Sequence, residues 1–257
     1  MHGGAGSGAM AGGKGMMTGF EGRVALVTGG SKGIGKAIAK ELVAAGFQVA
    51  VTARSPQDLE AMAAEISGTG PGTVLAVPGD VRDPDACQAV VTRVVEELGG
   101  LDILINNAGV GIYSPINEMS VEDWRVQIDT NLSGVFFMSR AAIPPLKESE
   151  DAWIINIGSL AGRNTFAGGA AYNASKFGLL GMTEAMMLDL RYEGIRVSHI
   201  MPGSVDTGFG DSPPGRKEGW ALTPGDVAQG VLDLLRYPGN ALPSRIEMRP
   251  SRPPRKN

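Results

Sequence analysis

Residues 23–46 read "RVALVTGGSKGIGKAIAKELVAAG", and the order of chemistry along that stretch decides the fold. "RVALVT" is an apolar run of strand length, and "TGGSKGIG", Thr28 to Gly35, is a Thr-Gly-x-x-x-Gly-x-Gly turn. From Gly33 onward the apolar residues take up a helical period, which Gly46 ends. Glycines let a backbone approach a pyrophosphate closely, and a helix N-terminus offers unpaired N–H groups at the positive end of a dipole. A glycine cluster alone would be an ordinary tight turn; a strand before it and a helix after it point to dinucleotide binding. The opening "MHGGAGSGAMAGGKGMMTG" makes the contrast, because it is equally rich in glycine with neither strand nor helix beside it. Residues 1–19 read as a flexible tail, and they lack the apolar segment of a signal peptide.

Outward from that unit the same alternation repeats. "FQVAVTA", "GTVLAVPGD", "LDILINNAG", "DAWIINIGS", "IRVSHIMPG" and a last segment near "SRIEMRP" read as strands. Between them lie "SPQDLEAMAAEI", with Ser55 as cap and Pro56 in the first turn, and "DPDACQAVVTRVVEEL", capped by Asp83. "SVEDWRVQIDTNLSGVFFMSRAAIPPL" reads as one or two helices, followed by a long helix around Tyr172 and a final one over "TPGDVAQGVLDLLRY". Continuous Val/Ile/Leu strands alternating with helices predict an α/β protein: a doubly wound parallel sheet with helices on both faces. At 257 residues one domain is expected, spanning 20–249, with a basic Pro-rich tail at 250–257.

The bulk properties exclude several functions. The net charge of −4 calls for no nucleic acid, and no apolar run reaches the ~18–20 residues of a membrane helix. The one cysteine, Cys87, rules out an internal disulfide, reads as a small core residue and suits a reducing, cytoplasmic setting. The only histidines, His2 and His199, leave a His-based metal site or a Ser-His-Asp triad almost nothing to be built from, so no metal is expected.

In doubly wound sheets ligands bind beyond the carboxyl ends of the strands, so the polar residues there matter most. After the second strand stand Ala53 and Arg54, with Lys32 in the glycine turn. Two cations without a carboxylate favour a 2′-phosphate, hence NADP(H) over NAD(H), although both are also consistent with solvated loop charges. Asp80 follows the third strand, where its carboxylate can meet an adenine amino group. "NNAG", Asn106 to Gly109, follows the fourth; Asn106 is equally suited to satisfying turn backbone. Asn131 sits inside a helix, a mediocre place for an amide unless something uses it. Ser159 follows the fifth strand, and Pro202, Gly203 and Thr207 follow the sixth. Tyr172 and Lys176 are four apart on a helix and share a face, so an ammonium can favour the ionised phenol; alone the pair is also an ordinary surface aromatic and amine.

Taken in order, these residues resemble the short-chain dehydrogenase/reductase family, in its subgroup of about this chain length. The resemblance runs from about Arg23 to Thr207 and more loosely to Met248. It implies a Rossmann fold and hydride transfer between a nicotinamide and a carbonyl or alcohol carbon. Tyr172 would be the acid/base, Ser159 would hold the substrate oxygen, and Lys176 would lower the Tyr pKa and bond the nicotinamide ribose. Asn131 would order a water joining Lys176 to solvent, and Thr207 would touch the carboxamide. The implied cofactor set is Thr28, Gly29, Ser31, Lys32, Gly33, Ile34, Gly35, Arg54, Asp80, Val81, Asn107, Ala108, Gly109, Tyr172, Lys176, Pro202, Gly203, Val205 and Thr207. A homodimer or homotetramer acting on a small carbonyl or alcohol is the family expectation.

Two departures bear on substrate and assembly: "GFGDSPPGRKEGWALTPG" is short for a substrate lid, and the C-terminus ends in "LPSRIEMRPSRPPRKN" rather than Gly-Gly. Val110 to Ser114, Arg163 to Phe166, Phe209 and Trp220 are candidate substrate contacts, with Arg163 and Arg216 available for an anion. Such a pocket suits a hydrophobic ketone or a 3-oxoacyl thioester on an anionic carrier, as in 3-oxoacyl-(acyl-carrier-protein) reductase-like enzymes. A non-catalytic NADP(H)-binding regulatory protein is the alternative.

Overall fold

The computed structural model describes residues 19–211, 213, 215–217 and 219–254. The expected tail over 1–19 therefore lies almost wholly outside the described residues, as does the end of the 250–257 tail. Seven strands form one sheet in the order β3-β2-β1-β4-β5-β6-β7. They are β1 (Val24–Thr28), β2 (Gln48–Thr52), β3 (Thr73–Ala76), β4 (Ile103–Asn106), β5 (Ala152–Ile157), β6 (Ile195–Pro202) and β7 (Arg245–Met248). All six pairings are parallel.

The helices are α1 (Gly33–Ala44), α2 (Pro56–Ile66), α3 (Pro84–Leu98), α4 (Val121–Ile128), α5 (Gly134–Leu146), α6 (Ala170–Leu190) and α7 (Pro224–Leu235). Side chains alternate across each strand, so one strand feeds two cores. Ala25 and Val27 of β1 pack with α1, α2 and α7, whereas Val24 and Leu26 pack with α3, α5 and α6. Burial on both faces is why these strands are continuously apolar rather than alternating.

The expected caps form: Ser55 Oγ accepts from the Asp58 N–H, and the Asp83 carboxylate accepts from the N–H groups of Asp85 and Ala86. Thr223 and Asp226 close a capping box on α7. Gly46 follows α1 at φ +98°, a backbone value that favours glycine. Cys87 is buried in the core, and burial pushes its thiol up to about 12. The third strand is shorter than the expected 72–80, because Pro78 has no N–H to give the ladder. The stretch over 120–146 is two α-helices joined by a π-helical turn, Asp129–Ser133.

Topology places the crevice. The chain runs outward from β1 through β2 to β3 and then crosses back to β4, so the carboxyl ends of β1 and β4 diverge at the switch point. There the Thr28 hydroxyl accepts from the N–H groups of Asn107 and Ala108 at 2.9 and 3.0 Å, tying the glycine turn to the end of β4.

Candidate active site

The turn from Thr28 to Gly35 is built by backbone. Gly29 and Gly33 have φ of +63° and +57°. A Cβ on Gly29 would lie 2.8 Å from Ala108 Cα, and one on Gly35 would lie 2.3 Å from the Gly29 carbonyl oxygen. Asn107 spends its side-chain N–H groups on the carbonyls of Thr28 and Gly29, at 2.9 and 3.1 Å. Its amide therefore shapes the turn instead of reaching outward. α1 has no side-chain cap on its first N–H groups, in contrast to the side-chain-capped helices α2, α3, α4 and α7. An uncapped helix end behind a turn whose Gly29, Gly33 and Gly35 carry no Cβ fits a phosphate.

Beyond the end of β2, Arg54 and Lys32 are exposed, while Ala53 packs against the core. Asp80 differs from the expectation. Its carboxylate accepts from Arg82 Nε at 3.1 and 3.0 Å and from Arg82 Nη2 at 2.6 Å. Those bonds hold Asp80 below the usual carboxylate range, Arg54 adding a smaller pull. An adenine amino group would have to share Asp80 with Arg82, whose partnership shows no helix or strand periodicity by which sequence could find it. Val81 is buried behind them. Asn106 is not a turn residue: it lies buried in β4, donating to Ser139 Oγ and Asn156 Oδ1.

Ser159, Tyr172 and Lys176 meet at the end of β5. Ser159 caps a short 3-10 turn, Leu160–Gly162, its Oγ accepting from the Ala161 N–H at 3.1 Å. Lys176 is 4% exposed; its Nζ donates to the Ile157 carbonyl at 3.3 Å and lies 5.8 Å from the centre of the Tyr172 ring. Burial pulls its amine down to about 8. Tyr172 is 8% exposed, and burial pushes its phenol up, the neighbouring Tyr113 adding to the rise and a hydrogen bond with Ser159 opposing it. The expected lowering by Lys176 does not govern this geometry, because loss of water around the phenol is the larger effect.

Asn131 lies in the π-helical turn, fully buried. Its Oδ1 accepts from the Val110 N–H at 2.8 Å, and its Nδ2 donates to the Val110 carbonyl at 2.9 Å and to Ser175 Oγ at 3.0 Å. Such turns widen a helix locally and present a side chain that an α-turn would aim elsewhere. Gly109 gives it room: a Cβ there would lie 3.2 Å from Asn131 Oδ1 and 3.8 Å from Lys176 Nζ. Sequence reasoning missed Ser175, which passes the contact on by donating to the Tyr172 carbonyl at 2.8 Å. It also missed Asn173, which donates to the carbonyls of Ala161 and Asn164 and so ties α6 to the Ser159 loop.

Other expected residues gather around this centre. Thr207 approaches the glycine turn, 3.7 Å from where a Gly33 Cβ would be. Pro202 ends β6, the Gly203 N–H donates to the Met248 carbonyl, and buried Val205 bridges to Leu222. Ser31 and Lys32 line a shallow hollow of about 300 Å³ with Lys36, Asp58 and Glu65. Ile34 packs on the core. Tyr113, Phe166 and Phe209 meet the Tyr172 ring. Arg163 is ion-paired with Glu247, Arg216 is exposed, and Trp220 is half-buried in a turn with its N–H on the Lys217 carbonyl.

A family profile described as short chain dehydrogenase matches residues 23–214, the span holding the glycine turn, Asp80, Asn131, Ser159, Tyr172, Lys176 and Thr207. The chain belongs to the short-chain dehydrogenase family. It is 38% identical over 188 residues to a 3-oxoacyl-(acyl-carrier-protein) reductase of Escherichia coli (strain K12), covering 73% of this chain and 75% of the relative. A metagenomic short-chain oxidoreductase solved with NADP superposes at a TM-score of 0.80 and 36% identity, over 91% of this chain and 99% of that one. A 3-ketoacyl-(acyl-carrier-protein) reductase from Brucella melitensis, complexed with NADH, superposes at 0.82 and 28% identity, over 90% and 98%. As a short-chain dehydrogenase the protein is an oxidoreductase on a Rossmann-like sheet. Among its described residues no helix is long and apolar enough to cross a membrane, and no three His, Cys, Asp or Glu gather as metal ligands.

Proposed function

We propose that this protein is an NADP(H)-dependent oxidoreductase that transfers a hydride between the nicotinamide and a carbonyl or alcohol carbon, with reduction of a hydrophobic ketone or 3-oxoacyl thioester as its direction. The observation that carries the reading is the juxtaposition at one sheet edge: a buried phenol beside Ser159, with Lys176 one helical turn on, next to an uncapped glycine turn. When bound, the cofactor supplies the hydride equivalent and accepts it in the reverse direction.

The residues divide the remaining work. Tyr172 Oη carries its proton at neutral pH and would be the acid that protonates the substrate oxygen as negative charge grows there; burial, which raises the phenol, weakens it as an acid, and the charge on Lys176 would offset that. Ser159 holds that oxygen from a second direction. Lys176, its pKa pulled down to about 8 by burial, would supply a positive field when protonated and a donor for a ribose hydroxyl. Asn131 fixes the Val110 main chain next to Gly109, which faces the Lys176 amine, and would order a water joining Lys176 to solvent. The glycine turn with α1 would hold the pyrophosphate. Arg54 and Lys32 would hold a 2′-phosphate, because Ala53 stands at the position directly after β2 where a carboxylate would repel it.

The test is a cofactor-linked screen of ketones, aldehydes and 3-oxoacyl thioesters, run with NADPH and NADH side by side. The reading expects NADPH oxidation with at least one carbonyl class and a clear preference over NADH. Tight NADPH binding with no turnover on any class would replace it by a cofactor-sensing role.

A further inference from the structure

Around the Tyr172 ring stand three others, each from a different loop. Tyr113, after β4, lies 5.6 Å away at an interplanar angle of 83°. Phe209, after β6, is 5.8 Å away at 58°, and Phe166, after β5, is 6.5 Å away at 52°. Tyr113 and Phe166 also meet edge to face at 5.5 Å. The rings sit on glycine seats. A Cβ on Gly111 would come within 2.6 Å of both Phe209 and Tyr113, one on Gly210 within 2.8 Å of Tyr113, and one on Gly169 within 2.6 Å of Phe166. Three glycines cleared for three rings make a built enclosure rather than a chance cluster.

The enclosure conflicts with the proposed chemistry unless a ring gives way, since a substrate oxygen must reach Tyr172 Oη and Tyr172 is 8% exposed. The Tyr172 main chain is held in α6 by Ser175, whereas Tyr113, Phe166 and Phe209 are 44%, 45% and 38% exposed on loops and a 3-10 turn, and of the three Tyr113 and Phe209 stand nearest the Tyr172 ring. A flat apolar group can take the place of a displaced ring and keep the same edge-to-face contacts. A saturated ring has no π face or polarised edge with which to make those contacts, and a polar acyl-carrier arm would leave its amides against ring faces. The cation on the β5 loop, Arg163, is already committed to Glu247, which Arg249 also engages.

We propose, resting on the hydride-transfer reading, that the substrate class is the planar aromatic ketone or aldehyde, and that Tyr113 and Phe209 are its specificity-determining residues. The experiment compares acetophenone, cyclohexyl methyl ketone and an acetoacetyl thioester in the NADPH-linked assay. The first two have the same carbon skeleton and differ in flatness, and conjugation makes the aromatic ketone intrinsically the poorer hydride acceptor. The expected kcat/KM for acetophenone exceeds that for each of the others by about tenfold or more. Phe209→Leu and Tyr113→Leu should each cut the ratio of acetophenone to cyclohexyl methyl ketone by roughly fivefold, through KM more than kcat. Parity between the two ketones, or preference for the thioester, would overturn the aromatic class while leaving hydride transfer standing. No oxidation of NADPH by any of the three, nor by a wider carbonyl panel, would overturn both.

Discussion

The glycine turn and the aromatic mouth lie at the same sheet edge and are made in opposite ways. In the turn the close contacts centre on backbone: the space at Gly29 and Gly35 is bounded by the Ala108 main chain, the Gly29 carbonyl and the Asn107 amide, whose Nδ2 bonds only main-chain oxygens. In the mouth, side chain touches side chain, and three of its four rings are more than a third exposed. Backbone contacts leave one solution at each position and suit a ligand part that never varies, such as a pyrophosphate. Half-exposed rings on three loops leave many solutions and suit the part that changes from one relative to the next.

The comparison is tested hardest at Tyr172, where the mouth meets the chemistry. Tyr172→Phe keeps the ring and its aromatic neighbours but removes the proton, and turnover should fall by roughly 100- to 10,000-fold, the usual range for a lost general acid. NADPH affinity, measured by fluorescence titration, should change little. Unaltered turnover would show that the proton comes from elsewhere.

Gly35→Ala is the matching insult to the turn. The new Cβ would lie 2.3 Å from the Gly29 carbonyl oxygen and 2.4 Å from Asn107 Nδ2, and main chain cannot step aside as a side-chain tip can. Overpacking of this kind costs about 1–3 kcal/mol, so cofactor affinity should weaken roughly 10- to 100-fold with a lower Tm. Gly111→Ala at the mouth should instead alter substrate KM and leave cofactor affinity alone. If the two glycines gave the same pattern of loss, the division between backbone-built and side-chain-built regions would fail.

The same division explains how far the chain could be read. The β1-turn-α1 unit was legible because strand, glycines and helix are consecutive, and local order is what sequence displays. Asn131 was legible as an oddity, a helical amide wanting a use, but its use is a π-helical turn that bonds Val110 and Ser175 from other elements. The mouth was legible only as a set of loops. Which rings meet which depends on how three strand ends converge, and the glycines that seat them look like ordinary loop glycines. Asp80 and Arg82, two residues apart, form a fork that competes with the expected adenine contact, a geometry no spacing rule foretells.

Arg54→Asp sharpens the turn side of the comparison by changing charge without touching the tight backbone. It replaces an exposed cation with a carboxylate where a 2′-phosphate would sit, so the ratio of kcat/KM for NADPH to that for NADH should fall by about 10- to 100-fold. Most of the change should be in KM, with kcat on NADH little altered. Retained selectivity would move the phosphate contact to Lys32 alone.

The smallest effect should come from His199, which the sequence offered only as one of two histidines too few for a metal site or a triad. His199 is 1% exposed in β6, and neither ring nitrogen has a protein partner. It fills the space beside Gly158, where a Cβ would fall 1.8 Å from its Nε2, one residue before Ser159. Burial, with Lys176 and Arg245 adding to it, pulls its pKa down to about 3 from the ordinary 6.5. Between those values the unfolded chain binds a proton that the folded protein refuses, so stability falls as pH drops through 6.5 towards 3 and is level above it. His199→Met removes the group while keeping an apolar filling. The Tm of the parent minus that of the variant should therefore be constant above pH 7 and should decline by about 5 °C or more by pH 4. A difference that stays constant across that range would mean the imidazole takes up its proton as readily in the fold as in the unfolded chain, and that Gly158 rests against a ring that becomes charged below pH 6.5.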